Sequence, residues 1–274
     1  MKRKIGFLSG FFVVFIVISA VMLWSTGTIL SVNETNENLS QSNTQEQSED
    51  SKIDDNLSQE VNQEVSLDNF LFLGDSFTVL LTETIKEFNP NATVLGQIGV
   101  QPGYWNENFS VLPDSKDIDG VVLLIGVNGV TYDNNLPNKK KLIDSLVEKY
   151  SDKTIYVEKV FPVGENFTNA NPDTFNAAIK SHNEEIENYC KKYDNVVFID
   201  ATKDLVTESG YLKYIKDGLH ISSNYQDIFY LNIESAIKNS LRLSHWVGAM
   251  KFQATTLFKI VTSKIANTYN LLKC

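Results

Sequence analysis

Short apolar segments alternate with longer amphipathic segments over residues 68–242. The apolar segments are rich in Val, Ile, Leu and Phe and predict strands at 69–73, 92–98, 119–125, 154–160 and 195–199. Apolar positions at helical spacing predict helices at 77–88, 137–150, 172–192 and 223–241. Strands that alternate with helices are typical of a parallel sheet with helices on both faces. The pattern therefore predicts one α/β domain of ordinary size at 68–242.

The chain begins with a segment that is long and apolar enough to span a membrane. Three basic residues at 2–4 precede an uncharged run from Ile5 to Trp24, and about 20 apolar residues can cross a bilayer as a helix. Because basic residues stay on the cytoplasmic side, we predict a cytoplasmic start at 1–4 and a single-pass signal-anchor at 5–26. Everything that follows is then extracytoplasmic. A signal peptide cleaved after residue 27, with a secreted product, is the alternative.

Residues 27–67 are rich in Asn, Gln, Ser and Glu and have no sustained apolar pattern. Such a segment cannot bury enough apolar surface to fold. We predict a disordered acidic tether that gives the following domain reach from the membrane. An anchor, a tether and a domain without a disulfide framework together indicate a bacterial surface protein.

The last segment, 243–274, carries a charge opposite to that of the chain as a whole. It contains four lysines and no acidic residue, with apolar residues at helical spacing, whereas the whole chain has a net charge of -10. One interpretation is a helix packed on the domain or a poorly ordered terminus. The other is a basic amphipathic helix that lies on an anionic membrane.

Charge and cysteine content exclude several classes of function. A net charge of -10 disfavours nucleic acid as a partner, because phosphate binding needs a basic surface. Cys190 and Cys274 are the only cysteines, so a disulfide framework is excluded and one long-range bridge is the most that the sequence allows. No metal-ligand spacing is present, and we expect neither a metal nor another cofactor.

The first predicted strand ends directly in Gly74-Asp75-Ser76. A serine between a strand and a helix lies at the carboxyl edge of an α/β sheet, where such folds build their sites. Ser76 is therefore a candidate nucleophile. The same tripeptide also suits an ordinary turn and helix N-cap, so the rest of the chain has to decide between the two.

A serine nucleophile needs an imidazole base, and the chain has three histidines. His182 lies in a polar helical segment and is predicted to be a solvated surface residue, while His245 lies in the tail. His220 follows Asp217 by three residues in a loop, so this carboxylate could hold the Nδ1 proton and leave Nε2 facing Ser76. The alternative is a turn at 217–218 and a surface histidine.

Ester chemistry also needs hydrogen-bond donors where the oxyanion develops. Gly99 follows the second predicted strand and could offer a closely approaching backbone amide. Asn128 follows the third strand and could offer its side-chain amide. Tyr104 and Trp105, just after the Gly99 loop, could stack on a sugar or could be packing residues.

Together these segments resemble four blocks of the SGNH hydrolase superfamily, also called the GDSL-type esterases and lipases. The first block matches Gly74-Asp75-Ser76, and the last, Asp-x-x-His, matches 217–220 in full. The third, Gly-x-Asn-Asp, matches 126–128 but has Gly129 in place of the usual Asp, so the bracing of this loop is in question. The second block's glycine falls on Gly99, with Gly96 as a competitor.

The resemblance implies a three-layer α/β/α flavodoxin-like fold with a five-stranded parallel sheet. It implies a catalytic triad of Ser76, His220 and Asp217, and an oxyanion hole formed by the Ser76 amide, Gly99 and Asn128. It covers about 68–240 of the chain.

The function expected from these features is a membrane-anchored, extracytoplasmic serine esterase that removes acyl groups, above all O-acetyl groups, from a small molecule or a glycan. One alternative is an O-acetyltransferase that uses the same triad, for which a separate membrane protein would have to supply the acyl donor. Another is a non-catalytic glycan-binding surface protein.

Overall fold

The computed structural model of the chain describes residues 66–271. The predicted cytoplasmic start, the signal-anchor and almost all of the tether therefore lie outside the described residues. Between residues 66 and 271, no helix contains a stretch that is both long and apolar enough to cross a membrane.

Five parallel strands form one sheet in the order β2-β1-β3-β4-β5. Their bounds are Phe70–Gly74 (β1), Thr93–Gly96 (β2), Gly120–Leu124 (β3), Thr154–Glu158 (β4) and Val196–Ile199 (β5). This is the flavodoxin-like strand order, which confirms the predicted sheet. Every predicted strand lies within a few residues of an observed one.

Helices cover both faces of the sheet, as predicted. They are α1 (Ser76–Leu80), α2 (Thr82–Phe88), α3 (Pro102–Glu107), α4 (Asn135–Lys149), α5 (Pro172–Cys190) and α6 (Gln226–Leu271). Side chains alternate along β1, so Phe70 and Phe72 join the core under α1, α2 and α6. Leu71 and Leu73 join the second core, under α3, α4 and α5.

Two helices differ from the prediction. The segment predicted as one helix at 77–88 is divided at Leu81, where a turn separates α1 from α2. Helix α3 was not predicted, because its six residues are too few to show a helical period. It begins at Pro102, whose fixed φ suits the first helical position.

Helix α6 also differs, since it begins at 226 after a single 3-10 turn and continues to 271. It therefore passes through the predicted domain boundary at 242 without a break, and most of the 243–274 segment is helical. The role of this segment at a membrane surface stays a prediction.

The sheet order places a crevice at the carboxyl ends of β1 and β3. Strand β1 lies between β2 and β3, and its connection to β2 passes over one face, whereas the connection from β3 to β4 passes over the other. In open α/β sheets, ligands bind where neighbouring connections diverge in this way. Ser76 follows β1 and Asn128 follows β3, so both candidate residues flank this crevice.

Candidate active site

Close packing dictates the turn that carries Ser76. A Cβ atom on Gly74 would lie 2.0 Å from the Leu124 carbonyl oxygen and 2.2 Å from Thr78 Oγ1, so only glycine fits there. Asp75 then caps α1 by accepting a hydrogen bond from the Phe77 amide at 3.1 Å. These contacts place Ser76 at the first residue of α1, beside the end of β3.

The structure brings three predicted site residues together in one hydrogen-bonded chain. His220 Nε2 lies 2.8 Å from Ser76 Oγ, and His220 Nδ1 lies 2.7 Å from Asp217 Oδ2. An ionised carboxylate can only accept hydrogen bonds, so Nδ1 carries the proton that faces Asp217. The lone pair on Nε2 then faces the Ser76 hydroxyl, which is the arrangement that a general base requires.

Asp217 is held as an anion by its neighbours. Its Oδ1 accepts hydrogen bonds from the amides of Leu219 at 3.0 Å and His220 at 2.8 Å. Partial burial raises the pKa of Asp217, but the hydrogen bonds from the His220 side chain and from these two amides outweigh it and lower the pKa to about 2. Asp217 therefore stays ionised throughout the neutral range and can stabilise an imidazolium.

Ser76 is less accessible than its position at the edge of the sheet suggested. Only 3% of the residue is exposed, whereas a quarter of the His220 side chain is open to solvent. His220 lies directly against the serine hydroxyl, which accounts for part of this cover. His220 is therefore the more exposed member of the nucleophile and base pair.

The loop after β4, residues 163–167, supports the Asp217–His220 turn, and sequence reasoning missed it. The Gly164 amide donates to the Gly218 carbonyl oxygen at 2.8 Å. A Cβ atom on Gly218, whose φ is +81°, would lie 2.6 Å from Phe167 Cα, so this position requires glycine. The Asp-Gly pair thus belongs to a packed loop, and no sequence signal links residues so far apart in the chain.

The candidate oxyanion donors follow β2 and β3, the strands on either side of β1. Asn128 Nδ2 donates to the Val100 carbonyl oxygen at 3.1 Å, which uses one of its two N–H groups and leaves the other for a ligand. Gly99 has a φ of +74°, and no atom lies within 4 Å of the position that its Cβ would occupy. The space beside Gly99 is therefore open to a ligand.

The Asn128 loop has Gly129 in place of the usual Asp, and a different side chain supports this loop. Gly129 has a φ of +69°, and a Cβ atom there would lie 2.7 Å from Gln101 Cδ, so an aspartate would be strained and crowded. Instead the buried Asn135 side chain donates from Nδ2 to the carbonyl oxygens of Asn128 at 2.6 Å and Gly126 at 3.5 Å. Asn135, which sequence reasoning missed, holds the Asn128 loop from the start of α4.

Trp105 is not placed to stack on a substrate, which corrects that part of the prediction. Its ring is buried in the core beneath α3, and its Nε1 donates to the Gly74 carbonyl oxygen at 3.0 Å. The indole therefore supports the turn before Ser76. Tyr104 packs edge-on against Trp105 but keeps 36% of its surface exposed, so it stays a candidate for substrate contact.

The prediction that His182 is a solvated surface residue is wrong. His182 is buried with Ile179, Asn183 and Ile186 on one face of α5, and this spacing is the helical period that could have identified it. Burial first, and then the charges of nearby lysines, lower the pKa of His182 to about 3.

Cysteine thiols and clustered acidic side chains are the other candidate ligands for a metal ion. Cys190 is buried and free, and Cys274 lies outside the described residues. Within residues 66–271, no group of three or more His, Cys, Asp and Glu side chains is placed to hold a metal ion.

No protein-family model and no curated protein matches the chain. Solved structures do match it. A protein from Streptococcus pneumonia, provisionally named a platelet activating factor, is 26% identical with a TM-score of 0.55, over 67% of this chain and 90% of that one. A GDSL-like lipase from Bacteroides thetaiotaomicron is 19% identical with a TM-score of 0.50, over 69% of this chain and 97% of that one.

Proposed function

We propose that this chain, which has the fold of the SGNH hydrolase superfamily, is a serine esterase that removes short acyl groups from a glycan outside the cytoplasm. The proposal depends on one observation above all: Ser76, His220 and Asp217 form an unbroken chain of short hydrogen bonds at the carboxyl edge of the sheet. Those three residue types in this order activate a serine for attack on a carbonyl carbon.

The mechanism follows from the positions of these groups. His220 Nε2 takes the proton of Ser76 as Oγ attacks the ester carbonyl, and Asp217 stabilises the imidazolium that forms. The amides of Ser76 and Gly99 and the free N–H of Asn128 are available to the tetrahedral oxyanion. His220 then gives its proton to the leaving alkoxide, which leaves an acyl group on Ser76. His220 then takes a proton from water, which attacks the acyl carbon. The bond to Ser76 Oγ breaks, Oγ receives that proton from His220, and the acyl group leaves as a carboxylic acid.

A short acyl group is supported by the aromatic side chains beside the site. The Phe77 ring lies 5.6 Å from the His220 ring and packs against Phe161 and Phe229. All three phenylalanines are buried in the core. Together with Leu124 and Val160, these rings line a cavity of about 300 Å³ that includes open solvent. A cavity of this size, at the lower end for ligand sites, suits an acetyl group better than a fatty acyl chain.

A glycan as the acyl carrier is supported by tyrosines on the loops around the site. Tyr104, Tyr132 and Tyr214 are 36%, 60% and 40% exposed, and they lie on the segments that carry Gly99, Asn128 and His220. Exposed aromatic side chains around a cleft are typical of a binding surface. Their flat faces can pack on sugar rings, while their hydroxyl groups bond to sugar hydroxyls.

An extracytoplasmic, membrane-anchored location remains part of this proposal. It depends on the apolar run from Ile5 to Trp24 and on the acidic segment that follows it. In that arrangement the domain can reach acetylated polymers near the membrane surface.

The experiment that tests the proposal combines turnover with covalent labelling. The full-length chain in mild detergent should release acetate from p-nitrophenyl acetate and from acetylated xylan, and a fluorophosphonate should label the peptide that contains Ser76. Adding free sugar acceptors separates hydrolysis from transfer, because a transferase would yield acetylated acceptor instead of acetate. A folded chain that shows neither turnover nor labelling would overturn the proposal and favour a glycan-binding protein without catalysis.

Tyr132→Ala tests the glycan surface separately from the chemistry. We expect KM for acetylated xylan to rise about fivefold, which corresponds to the loss of one aromatic contact, while kcat/KM for p-nitrophenyl acetate stays the same. Phe88→Ala is the matched control, because Phe88 is an aromatic residue that is 46% exposed and ends α2 just before β2, at the amino edge of the sheet, opposite Ser76. Equal effects of Tyr132→Ala on both substrates would contradict a role in sugar binding.

A further inference from the structure

Behind the catalytic loops lies a group of buried ionisable side chains that the proposed mechanism does not use. It consists of Asp75, Lys139, Glu158 and His182, all of which are buried. They come from the turn after β1, from α4, from the end of β4 and from α5, respectively. We call this group the buried ionisable cluster. Burying a charge costs free energy unless other charges or hydrogen bonds compensate it. The presence of this cluster next to the site therefore needs a physical reason.

The ammonium group of Lys139 lies directly against the oxyanion loop. A Cβ atom on Gly126 would lie 3.2 Å from Lys139 Nζ and 3.3 Å from His182 Nε2. Neither nitrogen has a hydrogen-bond partner among the described protein groups. Lys139 therefore acts on its surroundings through its charge. The carboxylates that this charge attracts are those of Asp75 and Glu158.

Asp75 joins the two loops that carry the candidate catalytic groups. Its Oδ1 accepts from the Phe77 amide at 3.1 Å, and its Oδ2 accepts from the Gly126 amide at 3.4 Å. Phe77 follows Ser76, and Gly126 begins the loop that ends in Asn128. Both carboxylate oxygens are thus needed as acceptors. Protonation of Asp75 would turn one of them into a donor that faces an N–H group.

We propose that Lys139 is a positioning residue, whose charge keeps Asp75 ionised so that Asp75 can tie the Ser76 turn to the Asn128 loop. This inference rests on the proposed esterase function and adds to it a group that contacts neither substrate nor reacting atoms. Burial raises the pKa of Asp75 to about 6, against the two amide hydrogen bonds and the charges of Lys139 and His220. Without Lys139, that pKa would be higher and the tie would be lost nearer to neutral pH.

The groups around Lys139 determine which titration an experiment would observe. Burial lowers the pKa of Lys139 to about 8, against the carboxylate charges of Asp75 and Glu158. Burial raises the pKa of Cys190 to about 11 and lowers that of His182 to about 3, so neither residue changes its charge between pH 5 and 8. Burial also raises the pKa of Glu158 well above its usual range. Glu158 accepts a hydrogen bond from the Ala201 amide. Ala201 lies on the loop after β5, which is distant in the sheet order from β1 and Ser76. The titration of Glu158 therefore needs its own control variant.

The test compares the pH dependence of kcat for p-nitrophenyl acetate in the full-length chain and in Lys139→Met. We expect the acid limb of kcat to move upward by about one pH unit, which is typical for the loss of one nearby charge. At pH 6, close to the wild-type pKa of Asp75, such a shift lowers the ionised fraction of Asp75, and with it kcat, about fivefold, with KM unchanged. Activity should largely return at pH 8.5, where Asp75 is ionised again. Lys140→Met, which removes a partly exposed lysine on the same helix, should leave the profile unchanged.

Two further variants make the outcome specific. In Asp75→Asn the side chain presents an N–H group toward one of the two amides, so kcat should fall at every pH, and adding Lys139→Met should change neither kcat nor its pH profile further. Glu158→Gln should leave the acid limb in place.

Wild-type kcat in Asp75→Asn, or a loss in Lys139→Met that is uniform with pH, would overturn the proposal. If Lys139→Met does not fold, wild-type kcat in Asp75→Asn still overturns the proposal, and Lys139→Gln, which also removes the charge, takes the place of Lys139→Met in the pH comparison. Absence of turnover by the wild-type chain would instead count against the esterase function itself.

Discussion

Ser76→Ala and His220→Ala should each lower kcat for p-nitrophenyl acetate by about 10⁴-fold or more, because each removes one half of the nucleophile and base pair. The two groups are 2.8 Å apart and act as a unit. The double variant should therefore be no slower than either single variant. Initial rates for all three variants, measured at enzyme concentrations high enough to resolve the residual activity, test this non-additivity.

The control for these variants is Ser223→Ala, which changes an exposed serine three residues after His220 and should retain full activity. Thermal unfolding should show that each active-site variant is folded, with a change in the free energy of unfolding of about 1 kcal/mol. Ser76→Ala that keeps more than a tenth of the wild-type rate would contradict a serine nucleophile. Additive losses in the double variant would contradict the coupling between Ser76 and His220.

The sheet could be predicted from the sequence because its strands are short, apolar and separated by amphipathic helices. β1 is apolar and buried at every position because both faces of the sheet are covered, whereas the period near 3.6 along α5 reflects burial of one face. Burial therefore decides where both elements lie. Ser76 and His220 were identified because chemistry restricts which residue types can act there. They are 144 residues apart in the chain, and only the parallel sheet brings them together.

The supporting residues could not be predicted in the same way. Trp105 and Asn135 act through hydrogen bonds to backbone carbonyl oxygens at the end of β1 and in the Asn128 loop, and every segment of the chain offers such acceptors. The aromatic ring of Trp105 is equally suited to a core and to a sugar-binding surface, so only its burial decides. Long-range backbone packing, such as that of Gly218 on Phe167, leaves no periodic signal.

His182 is a different kind of miss. Its immediate neighbours Lys180, Ser181, Glu184 and Glu185 are exposed, and their polarity suggested a solvated segment. The helical period places position 182 on the same face as Ile179 and Ile186 and opposite Lys180 and Glu184. Residue type misled the interpretation, whereas the period alone would have corrected it. The same reasoning applies to Lys139, which lies on the buried side of α4.

Asp217→Asn should lower kcat for p-nitrophenyl acetate by about 10³-fold through a change of imidazole tautomer. The amides of Leu219 and His220 both donate to Oδ1, so an asparagine at this position must keep its oxygen there. Its Nδ2 group then faces His220 Nδ1 and donates to it. His220 is forced to carry its proton on Nε2, where it can no longer accept the proton of Ser76.

Because the Asp217 side chain is 53% exposed, solvent can take over part of its role, and the expected loss is smaller than the 10⁴-fold or so known for buried triad aspartates. The pKa of Asp217 is about 2, so it binds no proton between pH 5 and 9, and the loss should be uniform over that range. Asp200→Asn, a change of equal size at a residue paired with Lys159, should leave kcat unaltered. A loss in Asp217→Asn that grows as pH rises through this range would show that the wild-type carboxylate becomes ionised only there, contrary to the hydrogen bonds that hold it ionised.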